Sequence, residues 1–332
     1  MKRVGIVGCG SIANVHAWAL SQTKDVEIVA AADCISRRAE KLSMEFTNGR
    51  ARWYSSLEEL LREKKPDVIH ICTPHNLHVP MAIAGLSSGA AVFCEKPPAI
   101  SMDQFEELVK VRKETGNRIG FCFQNRYNSS VLKAGEVLES GRLGKLLGAR
   151  AFVTWRRDED YYQSDWKGQL ATEGGGALIN QSIHTLDLML QFLGEPVEVE
   201  ASTNNHHLSD NIQVEDTVEA WMRFADGKRA CFYASNGYAT DAPVILEFTC
   251  ERGSMTLFDQ MVMVCDSNGR EQFACPEPEG IGKSCWGSSH LKCISDFYKK
   301  LETGERFQND LTGVENTMKT VMRIYDTKKG RN

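Results

Sequence analysis

The first part of the chain alternates short apolar segments with longer amphipathic segments. The apolar segments are rich in Val and Ile and most are bounded by Gly, Asp or Pro, a pattern typical of strands that are buried on both faces. We predict strands at residues 4–7, 26–32, 68–72, 91–94 and 119–123, and helices at 12–22, 37–46, 57–62, 79–87 and 102–114. Strict alternation of strand and helix predicts an α/β domain with a doubly wound parallel sheet, covering residues 1–122.

The pattern changes after about residue 145, where strands follow one another with turn signals between them. Strands are predicted at residues 146–155, 197–201, 214–224, 228–235, 244–250, 254–258 and 261–265, and helices at 177–193, 288–301 and 311–325. We therefore predict a C-terminal α+β domain over residues 123–332. It has a large, mainly antiparallel open sheet with helices packed on one side.

Composition narrows the class of protein. Of 332 residues, 42% are hydrophobic and 25% are charged, which are ordinary values for a globular protein. The 39 Lys and Arg against 44 Asp and Glu give a net charge of -5 without a basic block, so no nucleic-acid partner is expected. The 11 cysteines include no Cys-x-x-Cys pair, which argues against a zinc ribbon or a disulfide framework. With neither a signal peptide nor a membrane span in the pattern, a cytoplasmic location is predicted.

A glycine-rich turn follows the first strand directly. Gly8, Gly10, Ser11 and Ile12 belong to the segment Gly-Cys-Gly-Ser-Ile-Ala, which fits the G-x-G-x-x-G/A pattern of dinucleotide-binding units. The first glycine permits the tight turn, and the second lets the backbone approach a pyrophosphate that faces the N-terminus of the next helix. The segment predicts a dinucleotide site, and the alternative is a glycine turn that binds nothing.

The second strand ends at Asp33, 23 residues after Gly10. A carboxylate there can accept hydrogen bonds from the ribose hydroxyls of NAD and repels the 2′-phosphate of NADP. NAD is therefore predicted over NADP. Arg37 and Arg38 follow closely, and they are either a phosphate site or decoration of an exposed helix turn.

Polar residues also follow the third long strand. Thr73, Pro74, Asn76 and His78 lie where this strand ends, at the sheet edge that binds ligands in open parallel sheets. His75 and His78 are three residues apart without a carboxylate between them, which is not a metal-ligand pattern. No metal is predicted.

The next strand ends in Glu95, Lys96 and Pro97. Burying an ammonium is costly unless the charge is used or paired, so packing does not explain a lysine at this position. Lys96 is predicted to lie near the nicotinamide and to polarise a substrate hydroxyl, with Pro97 fixing the backbone; a cis bond is one way in which the proline would do so. The alternative is a lysine paired with a neighbouring carboxylate.

In the C-terminal part, three glycines at 174–176 precede a predicted helix that carries Asn180, His184 and Asp187 along one face. The glycines indicate close backbone approach, either to a ligand or to the other domain. An imidazole that titrates near neutrality suits proton removal from an alcohol, although a histidine on an amphipathic helix is usually a satisfied core residue.

Taken together, these motifs resemble the Gfo/Idh/MocA oxidoreductase family across both domains. The resemblance implies an N-terminal Rossmann domain that binds NAD, a C-terminal sheet that forms a homodimer or homotetramer, and Lys96 with His184 as the catalytic pair. The residues that it implies for cofactor binding are Gly8, Gly10, Ser11, Ile12, Asp33, Thr73, Pro74, Asn76, His78, Glu95 and Lys96.

One departure concerns the substrate side. Many members of the family have Asp four residues before the histidine, where this chain has Asn180, which cannot take up a proton and is expected to hydrogen-bond the substrate instead. Asn180 to His184, with Arg126, Tyr162 and Trp166 and their neighbours, resembles the branch that contains nucleotide-sugar 3-oxidases acting on UDP-N-acetylglucosaminuronate. Lys96, Arg126, Tyr162, Trp166, Asn180 and His184 are the implied substrate residues.

The resulting expectation is an NAD-dependent dehydrogenase that oxidises a ring hydroxyl of a sugar, cyclitol or nucleotide sugar. Two alternatives remain open. One is a glycosidase that uses bound NAD for transient C3 oxidation, and the other is a non-catalytic dinucleotide-binding sensor.

Overall fold

The computed structural model describes residues 1–208, 210–277, 281 and 289–327. The described strands are β1 (Lys2–Val7), β2 (Val26–Ala32), β3 (Arg52–Tyr54), β4 (Val68–Ile71), β5 (Ala91–Cys94), β6 (Ile119–Phe121), β7 (Leu146–Thr154), β8 (Pro196–Asn204), β9 (Thr217–Phe224), β10 (Arg229–Ser235), β11 (Ile245–Cys250), β12 (Gly253–Phe258), β13 (Met261–Asp266) and β14 (Gly269–Ala274). The helices are α1 (Ser11–Gln22), α2 (Ser36–Thr47), α3 (Leu57–Lys64), α4 (His78–Ser87), α5 (Met102–Thr115), α6 (Ser129–Glu139), α7 (Leu170–Glu173), α8 (Ile183–Leu193), α9 (His290–Thr303) and α10 (Leu311–Asp326).

The chain divides into two compact units. The first contains Met1–Gln124 and Glu279–Val314, and the second contains Asn125–Pro278 and Glu315–Asn332. The predicted boundary at residues 122 and 123 is therefore close to the first crossing of the chain. The assignment of everything after residue 122 to one C-terminal domain is wrong, because a later segment returns to the first unit.

The first unit contains the predicted parallel sheet, with six strands in the order β3-β2-β1-β4-β5-β6. This is the doubly wound arrangement, in which strand order reverses beside β1. The five predicted strands are confirmed. The edge strand β3 was not predicted, because its sequence Arg-Trp-Tyr contains no Val or Ile and only Tyr54 is buried.

Helix α9 joins the first unit by packing on α1. Its buried face includes Ile294 and Phe297, and the Phe297 ring lies 5.0 Å from the ring of Phe93 and 5.3 Å from that of Phe307. The apolar face of α9 thus completes the core beside β5, which is the physical reason that this segment belongs to the first unit. The predicted helix 288–301 is observed from His290, and Ser288 lies outside the described residues.

The second unit contains an eight-stranded sheet in the order β14-β13-β12-β11-β7-β10-β9-β8. The pairs are antiparallel except for β7 with β10, which run parallel. This confirms the mainly antiparallel sheet. Helix α8 packs on β7, and α6 packs on β12 and β13. Alternation along β9 is clear, because Val218, Ala220 and Met222 are buried while Glu219 and Trp221 are exposed.

Candidate functional site

The glycine turn of the first unit is tight at one glycine and open at the other. Gly8 has a φ of +80°, and a Cβ placed there would lie 2.6 Å from the Cys72 carbonyl oxygen, so only glycine fits. At Gly10, in contrast, a Cβ would meet no atom of the described chain within 4 Å. The turn therefore leaves space directly before α1, whose first residues are Ser11 and Ile12. A helix N-terminus with open space before it suits a pyrophosphate.

Asp33, at the end of β2, holds the glycine turn. Its carboxylate accepts hydrogen bonds from the backbone N–H groups of Cys9 and Ile35, both at 2.8 Å. Each carboxylate oxygen has a second lone pair, so the group retains the capacity to accept bonds from a ribose diol. Arg37 and Arg38 are exposed on the first turn of α2.

Strand register brings the other predicted cofactor residues to the same edge of the sheet. Val7 of β1 pairs with Ile71 of β4, and Ile71 pairs with Cys94 of β5. The residues that follow these three ends are therefore neighbours: Gly8, Thr73 with Pro74 and Asn76, and Glu95 with Lys96. This is the carboxyl edge at which open parallel sheets bind ligands.

Two polar atoms at this edge are unsatisfied. The Thr73 hydroxyl and the Asn76 amide oxygen are buried and have no hydrogen-bond partner among the described residues. Buried polar atoms of this kind need a partner, and the hydroxyls and amide of a nicotinamide riboside supply donors and acceptors. Together with the space at Gly10 and the carboxylate of Asp33, they fit NAD.

His78 connects two loops at this edge through hydrogen bonds. Its Nδ1 lies 2.8 Å from the Pro97 carbonyl oxygen and its Nε2 lies 3.0 Å from the Thr73 carbonyl oxygen. Burial lowers the pKa of His78 despite these two acceptors. The ring therefore links the Thr73 loop to the loop after β5, and its role in cofactor binding stays a prediction. The Lys96–Pro97 peptide bond is cis.

Glu95 lies in the interior while Lys96 is half-buried. The Glu95 carboxylate is 2.9 Å from Nε2 of His16. Burial alone raises the pKa of Glu95, but the hydrogen bond and charge of His16 and the charges of His290 and Lys96 outweigh it, and the pKa lies well below its usual range. Glu95 is therefore an anion beside Lys96.

His16, Glu95 and Cys122 bring three possible metal ligands within 4.8 Å of one another. Burial raises the pKa of the Cys122 thiol well above its usual value, and His16 is already hydrogen-bonded to Glu95. Metal binding requires a deprotonated thiolate. We therefore interpret the group as a hydrogen-bonded cluster and assign no metal.

In the second unit, two of the three glycines, Gly175 and Gly176, closely approach residues of that same unit. A Cβ at Gly176 would lie 2.0 Å from the Glu215 carbonyl oxygen, and one at Gly175 would lie 2.1 Å from the Tyr325 hydroxyl. The Glu215 carboxylate accepts from the N–H groups of Gly176 and Leu178, both at 2.9 Å. Burial raises the pKa of Glu215 even though these two bonds oppose it. Neither alternative offered for the glycines, a ligand or the other domain, accounts for this contact.

The predicted helix 177–193 begins as a π-helix, Ala177–Ser182, and continues as α8. Asn180 lies in the π-helical turn, and its amide nitrogen donates to the carboxylate of Glu173, a fully buried residue. His184 is half-buried in the first turn of α8. π-helical turns are frequent at functional sites. The turn thus presents Asn180 and His184 from one short segment.

The aromatic residues are arranged differently from the prediction. Tyr162 is buried among Leu208, Ile212 and Val214, and its hydroxyl accepts from the Asn236 amide at 2.9 Å, so its ring is core. Its neighbour Tyr161 is only half-buried. The Tyr161 ring, with Nζ of Lys167 at 3.7 Å from its centroid, and the half-buried Trp166 are the better candidates for stacking on a sugar.

Arg126 has an internal partner. Its Nε lies 2.8 Å from the Asp187 carboxylate in a bidentate pair, both side chains are buried, and Thr317 also donates to Asp187. This pairing holds the buried guanidinium of Arg126 within the unit, and the implied role of Arg126 as a substrate residue stays a prediction. Asp187 lies on the same helix as His184, but its carboxylate binds Arg126 and Thr317 inside the unit.

No helix among the described residues is both long and apolar enough to cross a bilayer.

Comparisons with known proteins agree with this architecture. Residues 2–123 match the oxidoreductase family with an NAD-binding Rossmann fold, and residues 131–256 match the GFO/IDH/MocA C-terminal domain. The chain is 27% identical to inositol 2-dehydrogenase of Rhizobium meliloti over 306 residues, which cover 91% of this chain and 89% of that protein.

Two further relatives illustrate the range of similarity. D-glucoside 3-dehydrogenase of Escherichia coli is 30% identical over 195 residues, and the match covers 58% of this chain and only 54% of that enzyme. The WlbA dehydrogenase of Bordetella pertussis, solved in complex with NADH and UDP-GlcNAcA, superposes with a TM-score of 0.84 at 25% identity, covering 98% of this chain and 96% of that one. On its two matched domains, this chain belongs to the Gfo/Idh/MocA oxidoreductase family and carries that family's NAD-binding Rossmann domain.

Proposed function

We propose that the protein is an NAD-dependent dehydrogenase that oxidises a ring hydroxyl of a sugar, cyclitol or nucleotide sugar. The observation that carries the proposal is the carboxyl edge of the first sheet, where two unsatisfied polar atoms, an open glycine turn and a lysine beside a buried carboxylate meet. Relatives named for glucosides and inositol, and a neighbour solved with UDP-GlcNAcA, support the substrate class.

In the proposed reaction, NAD accepts the hydride from the hydroxyl-bearing carbon. The Lys96 ammonium donates a hydrogen bond to the alcohol oxygen and stabilises its developing negative charge. His184 takes up the alcohol proton as general base. Asn180, whose amide nitrogen donates to the Glu173 carboxylate, would hydrogen-bond a hydroxyl of the substrate.

The Asp33 carboxylate supports NAD over NADP, because a 2′-phosphate near Asp33 would be repelled. Thr73 and Asn76 would satisfy their buried oxygen atoms on the nicotinamide riboside. Gly8, Gly10, Ser11 and Ile12 would hold the pyrophosphate at the start of α1. Measuring the affinity of the protein for NAD tests these contacts directly and requires no substrate.

The test of the function is a substrate panel. The purified protein is mixed with NAD and separately with glucosides, inositols and UDP-sugars, and NADH formation and products are followed together. The proposal expects stoichiometric NADH and a keto product from at least one polyol. Release of an aglycone without net NADH would instead identify the glycosidase alternative, and cofactor binding without turnover on the whole panel would favour the sensor.

We further propose that the open face of the second sheet forms a homodimer or homotetramer interface. This face carries a cross-strand apolar row, in which Ile245 pairs with Phe152 of β7 and with Phe258 of β12. Ile245 is 39% exposed, although an isoleucine on a sheet face normally packs. Sedimentation analysis should show a smaller species for Ile245→Lys than for the wild type. The control is Leu132→Lys on α6, and an unchanged size for Ile245→Lys would refute this interface.

We also propose a cytoplasmic location. Ten cysteines among the described residues are free thiols, which is usual for proteins of a reducing compartment. Fractionation of the native host, with the protein traced by antibody, tests this assignment.

A further inference from the structure

Glu215 binds the start of the π-helical turn Ala177–Ser182 through both its side chain and its backbone. Its two carboxylate oxygens accept from the N–H groups of Gly176 and Leu178, and its carbonyl oxygen accepts from the N–H of Ala177, all at 2.9 Å. The first N–H groups of a helix have no partner within the helix and need acceptors from outside it. Here one residue supplies the acceptors for three successive N–H groups.

A tyrosine near the end of the last helix holds this acid in turn. The Tyr325 hydroxyl, on α10, donates to the Glu215 carboxylate at 2.9 Å. A Cβ at Gly175 would lie 2.1 Å from the Tyr325 hydroxyl. A Cβ at Gly176 would lie 2.0 Å from the Glu215 carbonyl oxygen. Two of the three glycines therefore leave the space in which Glu215 and Tyr325, here called the Glu215 clamp, reach the turn.

The residues that the clamp binds are themselves bonded to later residues of the turn. The Gly176 carbonyl accepts from the backbone N–H of Asn180 at 3.0 Å. The Ala177 carbonyl accepts from the Ser182 hydroxyl at 2.7 Å. Ser182 is fully buried and directly precedes α8, whose second residue is His184. Hydrogen bonds therefore connect the clamp to the backbone segment that carries both Asn180 and His184.

Packing alone does not explain a carboxylate at this position. Glu215 is only 7% exposed, and burial raises its pKa although the bonds from Leu178, Gly176 and Tyr325 lower it. A buried ion is costly to the fold. A π-helical turn is itself a rare geometry, which is frequent at functional sites. The fold therefore keeps two unfavourable features together at the segment that carries the candidate base.

We propose that Glu215 is a positioning residue, and that the Glu215 clamp fixes the π-helical turn in the one conformation that presents Asn180 and His184 to the substrate. The inference rests on the roles of these two residues in the proposed dehydrogenase reaction. It adds that an acid outside the reacting groups determines where the general base lies. Glu215 itself transfers no proton in this reaction.

The first test measures the turn in the full-length protein without substrate or NAD. Glu215→Gln keeps the size of the side chain but replaces one carboxylate oxygen by an NH2 group, which cannot accept from a backbone N–H. Amide hydrogen exchange in peptides that cover residues 174–182 should become about tenfold faster or more, because the turn opens locally more often.

The matched control for this test is Glu251→Gln. The Glu251 carboxylate also accepts from a backbone N–H, that of Lys145 at 2.9 Å, but it lies on the surface in the turn between β11 and β12. The control should leave exchange in residues 174–182 at the wild-type rate. Equal exchange in Glu215→Gln and the wild type would overturn the proposal.

The second test measures the surroundings of the general base, which a merely structural role of Glu215 would leave unchanged. Nitrogen-15 NMR of histidine-labelled protein should show shifted or broadened His184 signals in Glu215→Gln. The signals of His70, which is fully buried in β4 of the first unit, should stay in place. Unchanged His184 signals in folded Glu215→Gln would overturn the positioning role. Because neither substrate nor NAD is present, this result is distinguishable from a failure of the proposed function.

Tyr325→Phe keeps the proposal testable if Glu215→Gln does not fold. This variant removes only the hydroxyl that donates to Glu215, so exchange in residues 174–182 and the His184 signals should change in the same direction by a smaller amount. A folded Tyr325→Phe that matches the wild type in both measurements would overturn the proposal.

Kinetics separate positioning from cofactor binding. On the proposed function, Glu215→Gln should lower kcat for the best polyol by about tenfold to a hundredfold, because a base displaced by about 1 Å loses its alignment. KM for NAD should change little, since the predicted cofactor residues lie in the first unit. A kcat equal to that of the wild type would overturn the positioning role, whereas no turnover by the wild type would count against the proposed function.

Discussion

At the scale of single residues, the glycine turn contains two glycines, Gly8 and Gly10, at which an added side chain would have different consequences. A side chain at Gly8 would collide with the Cys72 backbone and would require a strained φ, so Gly8 is needed for folding. Gly10 has a φ of -77° and open space at the Cβ position, so nothing in the fold requires glycine there. We therefore expect a glycine at this position to matter for binding a ligand rather than for folding.

Gly10→Ala is therefore expected to fold normally and to bind NAD poorly. Its thermal transition should stay close to that of the wild type, since the methyl group meets no atom of the chain. The dissociation constant for NADH, measured by fluorescence titration, should rise about tenfold or more, equivalent to roughly 1.4 kcal/mol or more. Unaltered NADH affinity in this variant would argue against a pyrophosphate at the turn.

Asn180 is matched to its buried neighbour Glu173, to which it donates. Asn180→Asp would restore the acid common in the family and place two carboxylates together. Like charges raise the pKa of one carboxyl in the folded state, so the variant should match the wild type at low pH and lose stability as the pH rises through that pKa. We expect a cost of about 1–3 kcal/mol near neutral pH from denaturant unfolding.

The matched control is Asn211→Asp, because the Asn211 amide also donates to a carboxylate, that of Glu159, but on the surface. This variant should show little pH-dependent change, since exposed charges are screened by water. Equal pH profiles of stability for the two variants would contradict the buried pairing of Asn180.

Local motifs predicted the residues whose roles depend on chain neighbours. Gly8, Gly10, Asp33 and Lys96 stand at strand ends, which the pattern locates well. The partners of Arg126 and Tyr162, which are Asp187 and Asn236, were not predicted because they are distant in sequence. His16 and His70 were missed for the same reason, although a histidine inside an apolar strand is itself a signal that a buried partner exists.

At the scale of elements, the sequence pattern did not predict that α9 packs in the first unit. Hydrophobic spacing predicted the helix, but periodicity does not tell against which sheet a helix packs. Phe297 supplies the contact with Phe93 and Phe307, and Tyr298 beside it reaches His70. One helix thus contributes both apolar packing and a buried hydrogen bond.

Phe297→Ala should destabilise the NAD-binding unit by about 3–5 kcal/mol, the usual cost of deleting a buried phenylalanine. Denaturant unfolding followed with and without NADH measures the effect, because the cofactor raises the midpoint of the unit that binds it. Lys299→Ala, on the exposed face of α9, is the control. A cost below about 1 kcal/mol for Phe297→Ala would mean that α9 is not part of this core.

At the scale of the whole molecule, the sequence was sufficient to predict the fold class of both parts of the chain. It was not sufficient to predict every strand or which segments make up each unit. Strands with strong apolar patterns were predicted, whereas β3 and β14 lack such a pattern: β3 is Arg-Trp-Tyr with one buried residue, and β14 is mostly polar and exposed. The return of residues 289–314 to the first unit depends on tertiary packing, which no local pattern encodes. For the same reason the substrate remains a proposal, since pocket shape is set by side chains from distant segments.

The central claim is that Lys96 and His184 act on the alcohol proton while NAD takes the hydride. Single-turnover reduction of NAD, with the best polyol from the panel and saturating cofactor, measures it most directly in Lys96→Met and His184→Asn. Each variant should bind NADH nearly as well as the wild type and reduce NAD about 10²- to 10⁴-fold more slowly. Reduction at the wild-type rate by either variant would contradict the account.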